Sequence, residues 1–216
     1  MNKTSWLNLL LAVALVILSI KITFLDKDGK TETTAETEAV NASGSVIDNI
    51  MTRTSIRAYQ DLDVSEETVD TLLRAAMAAP SAGNKQPWHF VVIRDKATLN
   101  TISENLNTMK MAKDAPLAIV VCGDLNKTFP DEGVGYWVQD ASAATENLLL
   151  AAHSMGLGAV WCGIYPLSER VAFLKNLLKL PENIVPLNVI PIGYPDEKPD
   201  PKDKWNEENV HFETWN

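Results

Sequence analysis

The sequence predicts an α+β fold, in which a central sheet is flanked by helices. Short apolar runs of the kind that form buried strands recur at 88–93, 117–122, 159–164 and 185–192. Segments with helical spacing lie before and between these runs, so helices and strands interleave along the chain. The connections are too irregular for a doubly wound parallel sheet, and this favours an α+β arrangement.

The first half of the domain contains three predicted helices. Residues 46–51 form a short helix that leads into a basic turn. Asp63 and Ser65 offer N-cap side chains for a second helix, which continues at helical spacing to Ala79 and ends before Pro80. A third helix is predicted over 96–106, between the first two strands.

The second half of the domain begins with the longest predicted helix, an Ala- and Leu-rich segment over 136–155. Gly156 follows it and predicts a left-handed C-cap. Ser168 is expected to cap an amphipathic helix that continues to Leu180.

Composition excludes several classes of function. The 216 residues include 19 basic and 28 acidic side chains, for a net charge of -9, whereas a nucleic-acid-binding protein needs a basic face. Two cysteines and three histidines are too few for a disulfide framework or a zinc module. We therefore predict no metal site and no nucleic-acid partner.

Residues 1–25 are predicted to be an N-terminal membrane anchor or signal segment. The run 6–20 is apolar apart from Asn8 and Ser19, which is long for a signal-peptide core and short for a spanning helix. No small-x-small cleavage site and no cysteine that could carry a lipid follow it at the right distance. An uncleaved anchor is therefore favoured, and a cleaved signal peptide or a buried core helix is the alternative.

A flexible polar tether is predicted over 26–45, because Thr, Glu, Asp, Ser and Gly dominate it. The globular domain then covers 46–216. Lysines lie on both sides of the apolar run, so the positive-inside rule indicates little about orientation. The export-type segment favours the outer side of the plasma membrane, with a cytoplasm-facing domain as the alternative.

Two polar segments are the first candidates for a binding site. Arg53, Ser55 and Arg57 could bind a phosphate, because guanidinium groups match its oxygens in bidentate geometry; a solvated basic turn is the alternative. Residues 79–88 hold amide and hydroxyl side chains between two prolines, and such a stiff segment suits a flat heteroaromatic ligand. The alternative is an ordinary loop between a helix and a strand.

Two further segments carry weaker signals. The stretch 156–163 contains three glycines, and Gly163 lets another group approach the backbone closely. It is no dinucleotide fingerprint, because it follows a helix and opens a strand. Lys202 and Lys204 lie in a Pro-rich tail that either is solvated or folds back to supply cations to a phosphate.

In this order, the four segments resemble the FMN-dependent nitroreductase family. The resemblance covers roughly 46–216 and rests on RTSIRAY at 53–59, APSAGNKQPWHFVV at 79–92, DASAATENLLLAAHSMGLGAVWCG at 140–163 and the closing PIGYPDEKPDPKDKW. It implies a nitroreductase-like sandwich with a mostly antiparallel sheet, formed as an intertwined homodimer with FMN at the subunit interface. The long helix over 137–155 would form much of that interface, where Glu146 would need a partner.

The resemblance also assigns the cofactor-binding residues by position. It places the FMN phosphate and ribityl chain on Arg53, Thr54, Ser55 and Arg57. It places Ser81, Asn84 and Gln86 along the flavin, often from the partner subunit, and the backbone of Trp161, Cys162 and Gly163 near the flavin N5. Lys202 and Lys204 match a basic pair that closes over the phosphate, although the family more often carries arginine there.

The reaction that the resemblance implies is a ping-pong transfer, in which NADH or NADPH reduces FMN and a nitroaromatic, quinone or similar flat small-molecule acceptor reoxidises it. No catalytic side chain is predicted, because the flavin carries the redox step. Cys122 and Cys162 are expected to be packing residues, and His89 a structural residue that follows Trp88 into a buried strand. The alternatives are a reductive dehalogenase with a lid at 107–114, a flavin-modifying relative, and a tethered flavin- or protein-binding module without turnover.

Overall fold

The computed structural model describes residues 45–215 and contains one antiparallel sheet. Its strands are β1 (Trp88–Ile93), β2 (Leu117–Asp124), β3 (Gly158–Ala159), β4 (Cys162–Gly163) and β5 (Ile184–Gly193). The order across the sheet is β1-β2-β5-β3, and β4 also pairs with β5. Every strand pair is antiparallel, which confirms the predicted sheet.

Five α-helices surround this sheet among the described residues. They are α1 (Val46–Thr52), α2 (Glu66–Met77), α3 (Lys96–Asn105), α4 (Tyr136–Ser154) and α5 (Ser168–Leu178). Each predicted helix is confirmed to within about two residues at its ends. The local sequence patterns therefore predict the helices of this α+β fold correctly.

Ser65 marks the start of α2, and Gly156 marks the end of α4. The Ser65 hydroxyl accepts a hydrogen bond from the Thr68 N–H at 3.1 Å, so Ser65 is the N-cap of α2. Gly156, two residues after α4, has φ +73, the left-handed conformation that favours glycine.

The sheet separates two hydrophobic cores. One face packs against α2 and α4 through fully buried residues such as Leu72, Leu148 and Ile190. The other face packs against α3 and α5 through Leu99, Ile102 and Leu174. The middle strands β2 and β5 are therefore buried on both sides, which explains their nearly continuous apolar sequence.

The predicted strand over 159–164 is interrupted, and the prediction of one continuous strand is wrong. Gly158 pairs with Gly193 and Cys162 with Val189 in the same antiparallel register. Continuing that register places Val160 opposite Pro191, which has no N–H to donate. The ladder therefore breaks at 160 and 161, between β3 and β4.

Three further local predictions are wrong. Leu167 is the N-cap of α5 and Ser168 its first residue, and no side chain caps this end. The proposed lid at 107–114 includes Met109 and Ala112, which are fully buried in the core beside α3. His89 does not enter the core with its strand, because its side chain is 46% exposed, and its Nε2 lies 3.4 Å from the Asp124 carboxylate.

The predicted N-terminal segment and most of the predicted tether, residues 1–44, lie outside the described residues. Within 45–215, no helix combines the length and apolar character needed to cross a bilayer.

Asp124, at the end of β2, gives a prediction about acid stability. Burial pushes the pKa of this carboxyl upward, but hydrogen bonds from Asn183, the Asn126 N–H and His89 outweigh it and hold the pKa below its usual range. Because the folded pKa is depressed, this stabilisation is present above a pH of about 4 and is lost as pH falls further. We expect Asp124→Asn to unfold more easily at pH 7 but to lose less stability between pH 5 and 3, measured by urea titration. Equal acid sensitivity in both proteins would contradict this assignment.

Candidate functional site

The arginine segment, residues 53–57, lies between β3 and the chain that follows β5. The Ile56 N–H donates to the Ala159 carbonyl at 3.1 Å, and Tyr59 forms an isolated bridge with Pro195. The Glu197 carboxylate accepts hydrogen bonds from the N–H groups of Arg57 and Ala58. Three of the four predicted segments therefore meet in one region of the domain.

Tyr59 fastens this region to the sheet. Its hydroxyl lies 2.8 Å from the Ile56 carbonyl and 3.2 Å from the Pro191 carbonyl, both of which can accept its proton. Burial, with further contributions from Cys162 and Glu197, raises the pKa of Tyr59, so the phenol remains a donor at any physiological pH.

A cavity of about 730 Å³ opens between the arginine segment and the tail. Thr52, Thr54 and Ile56 form one wall, and the other is formed by residues 195–199 and Pro201. His153 and Leu157, from the end of α4 and the turn after it, complete the lining. This volume lies within the range of small-molecule sites.

His153 lines this cavity as a neutral hydrogen-bond donor. The Thr52 hydroxyl donates to the Asp48 carbonyl at 2.6 Å, so it can only accept from His153 Nε2, 3.0 Å away. Burial and the nearby Arg53 charge both lower the pKa of His153. The imidazole therefore stays uncharged with its proton on Nε2 at neutral pH.

The two arginines of the segment have different surroundings. Arg53 is mostly buried, and its Nε lies 3.8 Å from the Glu146 carboxylate on α4, which supplies the partner that Glu146 was expected to need. The exposed Arg57 guanidinium makes one long contact, 3.5 Å to the Ser55 carbonyl. Arg57 therefore retains most of its donors for an anion.

The segment at β4 presents backbone to open space. Nothing lies within 4 Å of the position that a Cβ on Gly163 would take. Cys162 is 5% exposed, and burial raises the pKa of its thiol to about 11 although Arg57 and Arg170 oppose this shift. Its packing role is confirmed, as is that of fully buried Cys122, while Trp161 is 37% exposed.

The amide segment, residues 81–86, lies at the other end of α4. Its Ala82 N–H donates to the buried Asp140 carboxylate at 2.8 Å. Within it, the Ser81 hydroxyl accepts from the Gln86 N–H at 3.0 Å, and the Gln86 side chain donates to Asn84 Oδ1 at 3.2 Å. The predicted cluster of amides is thus ordered by its own hydrogen bonds.

The length of α4 separates the amide segment from the arginine segment within one chain. Asp140 contacts the amide segment, whereas His153 contacts Thr52 beside the arginine segment. At 1.5 Å of rise per residue, about 20 Å of helix axis lies between these two residues. A single chain therefore does not bring the two segments together.

The tail contributes to the lining of the cavity, but Lys202 and Lys204 are not among the lining residues. Pro201 lines the cavity, and the next residue, Lys202, and Lys204 are exposed. That these two lysines approach a phosphate stays a prediction. The contacts of the other assigned residues with FMN are also predictions.

Sequence reasoning missed Glu197 and His153. Glu197 shares the motif PDEKP with several other charged residues, and no local signal separates it from a solvated carboxylate. His153 occupies the end of a helical pattern, where a cation is usual. Their roles depend on partners roughly a hundred or more residues distant along the chain.

Comparisons with known proteins agree with this geometry. Residues 50–109 and 100–194 match the model of the Nitroreductase family. Several similar proteins carry the name "Putative NADH dehydrogenase/NAD(P)H nitroreductase". That of Methanothermobacter thermautotrophicus is 48% identical over 170 residues, which are 79% of this chain and 87% of the relative. The crystal structure from Parabacteroides distasonis is 45% identical, with a TM-score of 0.76, over 80% of this chain and 99% of that one.

A second similar structure is an FMN-dependent nitroreductase from Clostridium difficile R20291. It is 32% identical to this chain, with a TM-score of 0.69, over 75% of this chain and 95% of that one. The family match extends from residue 50 to residue 194, and this chain is a member of the nitroreductase family.

Proposed function

We propose that this protein is an FMN-dependent oxidoreductase that uses NADH or NADPH to reduce nitroaromatic, quinone or similar flat acceptors. The observation that carries the proposal is the hydrogen-bonded meeting of the arginine segment with β3 and with Glu197 in the chain after β5. Of the residues assigned to FMN, only Thr54 lines the nearby cavity. Similar proteins are named for FMN dependence and for NAD(P)H.

The residues present fit FMN. The Arg57 guanidinium makes one long contact within the chain and offers its other donors to the phosphate. Arg53 adds a positive charge that Glu146 partly offsets, and Ser55 adds a hydroxyl. Thr54 would contribute through its backbone. The open space at Gly163, where a Cβ would otherwise project, leaves room for a ring beside the backbone of Trp161 and Cys162.

We propose that the amide segment reaches the flavin of the partner subunit in a homodimer. The distance imposed by α4 supports this arrangement, because Ser81, Asn84 and Gln86 are remote from the arginine segment of their own chain. Lys202 and Lys204 would then close over the phosphate from the tail.

When bound, FMN supplies the hydride and electron chemistry, and the protein residues bind and orient it. Arg57 and Ser55 would hold the phosphate, and the neutral His153 would keep Thr52 in place through its Nε2 proton. No side chain is required as a nucleophile or general base. We propose a ping-pong order, in which the nicotinamide and the acceptor would meet the bound flavin in turn.

The test is steady-state turnover by the full chain loaded with FMN. We expect yellow protein that oxidises many equivalents of NADH or NADPH when a quinone or nitroaromatic is present, with parallel double-reciprocal plots. At most one equivalent of oxidation would indicate a binding module, and halide release from halotyrosine would indicate a dehalogenase. Protein that stays colourless after FMN titration would overturn the proposal.

We also propose that residues 1–25 anchor the domain through the tether to a membrane, on the outer side of the plasma membrane. This rests on the apolar run at 6–20 and the polar stretch that follows. NAD(P)H is scarce outside the cytoplasm, so an exported domain would need another reductant, whereas use of NAD(P)H would favour a domain that faces inward. A reporter fused to the C-terminus should be active only outside; activity only inside would reverse the orientation.

A further inference from the structure

Three residues of the amide segment adopt the left-handed backbone conformation, and for Gln86 this conformation is strained. Gly83, Asn84 and Gln86 have φ values of 54, 54 and 49, in the left-handed region. Glycine adopts this region freely, but asparagine does so less readily and glutamine rarely. Such a run of conformations persists only where the surroundings impose it.

The nearest surrounding group is the ring of Phe129, from the loop between β2 and α4. A Cβ placed on Gly83 would lie 2.6 Å from Phe129 Cζ, so the tip of the ring touches the Gly83 backbone. The opposite end of this side chain is equally confined, because a Cβ on Gly133 would lie 2.5 Å from Phe129 Cβ. Phe129 is thus enclosed between two glycines.

Two further contacts hold the ring in this orientation. The Lys85 ammonium lies 5.1 Å from the ring centroid, within the range of a cation–π interaction. The Tyr136 ring meets Phe129 edge-on at 6.2 Å. The amide segment itself contributes Lys85, so ring and segment contact each other at two points.

We propose that Phe129 is a positioning residue, whose ring holds the amide segment in the conformation that receives the flavin. The inference rests on the proposed function, since it assumes that the amide segment binds FMN. Phe129 acts through its contacts with Gly83 and Lys85.

The test compares FMN affinity in Phe129→Leu and wild type, measured by quenching of flavin fluorescence. We expect the dissociation constant to rise about tenfold, because a loosened segment must be ordered on binding. Thermal unfolding of the FMN-free protein should change little. The absorption band of bound flavin should also shift, which a purely structural role would not produce.

Gly83→Ala tests the same contact from the other side. Its methyl group strikes the ring, and the double variant Gly83→Ala/Phe129→Leu removes that collision. We expect the double variant to bind FMN more tightly than Gly83→Ala alone. Independent, additive effects would overturn the proposal.

Val134→Ala is the matched control, because Val134 lies in the same loop with its side chain exposed. It should bind FMN as wild type does. Wild-type affinity in Phe129→Leu would overturn the positioning role while leaving the proposed function intact. Failure of the wild-type protein itself to bind FMN would instead refute the proposed function.

Discussion

Arg57→Ala is expected to weaken FMN binding by about 10- to 100-fold, because a hydrogen-bonded charge pair contributes about 1.5–3 kcal/mol. The guanidinium is exposed and makes one long contact within the chain. The Glu197 carboxylate bonds to the Arg57 backbone N–H, which the substitution leaves in place. We therefore expect lost affinity without lost stability, measured by FMN titration and thermal unfolding.

Two other arginine variants make this experiment specific. Arg57→Lys keeps the charge but lacks the planar fork, so we expect intermediate affinity. Arg74→Ala removes an equal charge from the exposed side of α2 and should bind FMN normally. Unchanged affinity in Arg57→Ala would remove this residue from the phosphate site.

Arg57→Ala, combined with a second variant, can show whether each FMN site is built from two chains. Asn84→Gly removes the amide without adding backbone strain, because glycine tolerates the positive φ at this position. If sites are shared, a heterodimer of Arg57→Ala and Asn84→Gly chains contains one site with both residues intact. We expect it to recover about half of wild-type FMN capacity, following the closed two-fold geometry of a homodimer. No recovery would place both residues in one chain's site.

Gly123→Ala is expected to lower the free energy of unfolding by about 3 kcal/mol, a large effect for one methyl group. A Cβ on Gly123 would lie 2.2 Å from Trp137 Cε3. The buried Trp137 ring has little room to retreat, because Tyr165 meets it at a centroid distance of 4.9 Å. Urea unfolding of the two proteins measures the difference.

Gly135→Ala provides the control for this stability prediction. No atom lies within 4 Å of the added methyl group, and φ is an ordinary -65. We expect unchanged or slightly raised stability, by about 0.5 kcal/mol, from reduced freedom of the unfolded chain. Similar losses in both variants would show that the Trp137 contact is not the cause.

The elements that the sequence predicted well are those with a local physical cause. Apolar runs bounded by polar residues located β1, β2 and β5, and the Ser65 cap located the start of α2. The errors have distant causes. The break between β3 and β4 depends on Pro191 in another strand, and His89 is exposed because one side of β1 at that position faces solvent.

The candidate site divides in the same way. The residue types of the arginine and amide segments were visible in the sequence, because guanidinium and amide groups have characteristic ligands. Glu197, His153 and Phe129 were not, because their partners lie far along the chain. The role of Lys202 and Lys204 at the phosphate remains a prediction from the sequence.

Sequence alone therefore determined the kind of fold, the family it resembles and the chemical groups available for a flavin. Tertiary structure alone decided how those groups are distributed. It joined the arginine segment to β3 and the tail through hydrogen bonds, and it placed the amide segment at the far end of α4. The physical reason is that helix and strand formation respond to neighbouring residues, whereas the meeting of distant segments depends on how the finished elements pack.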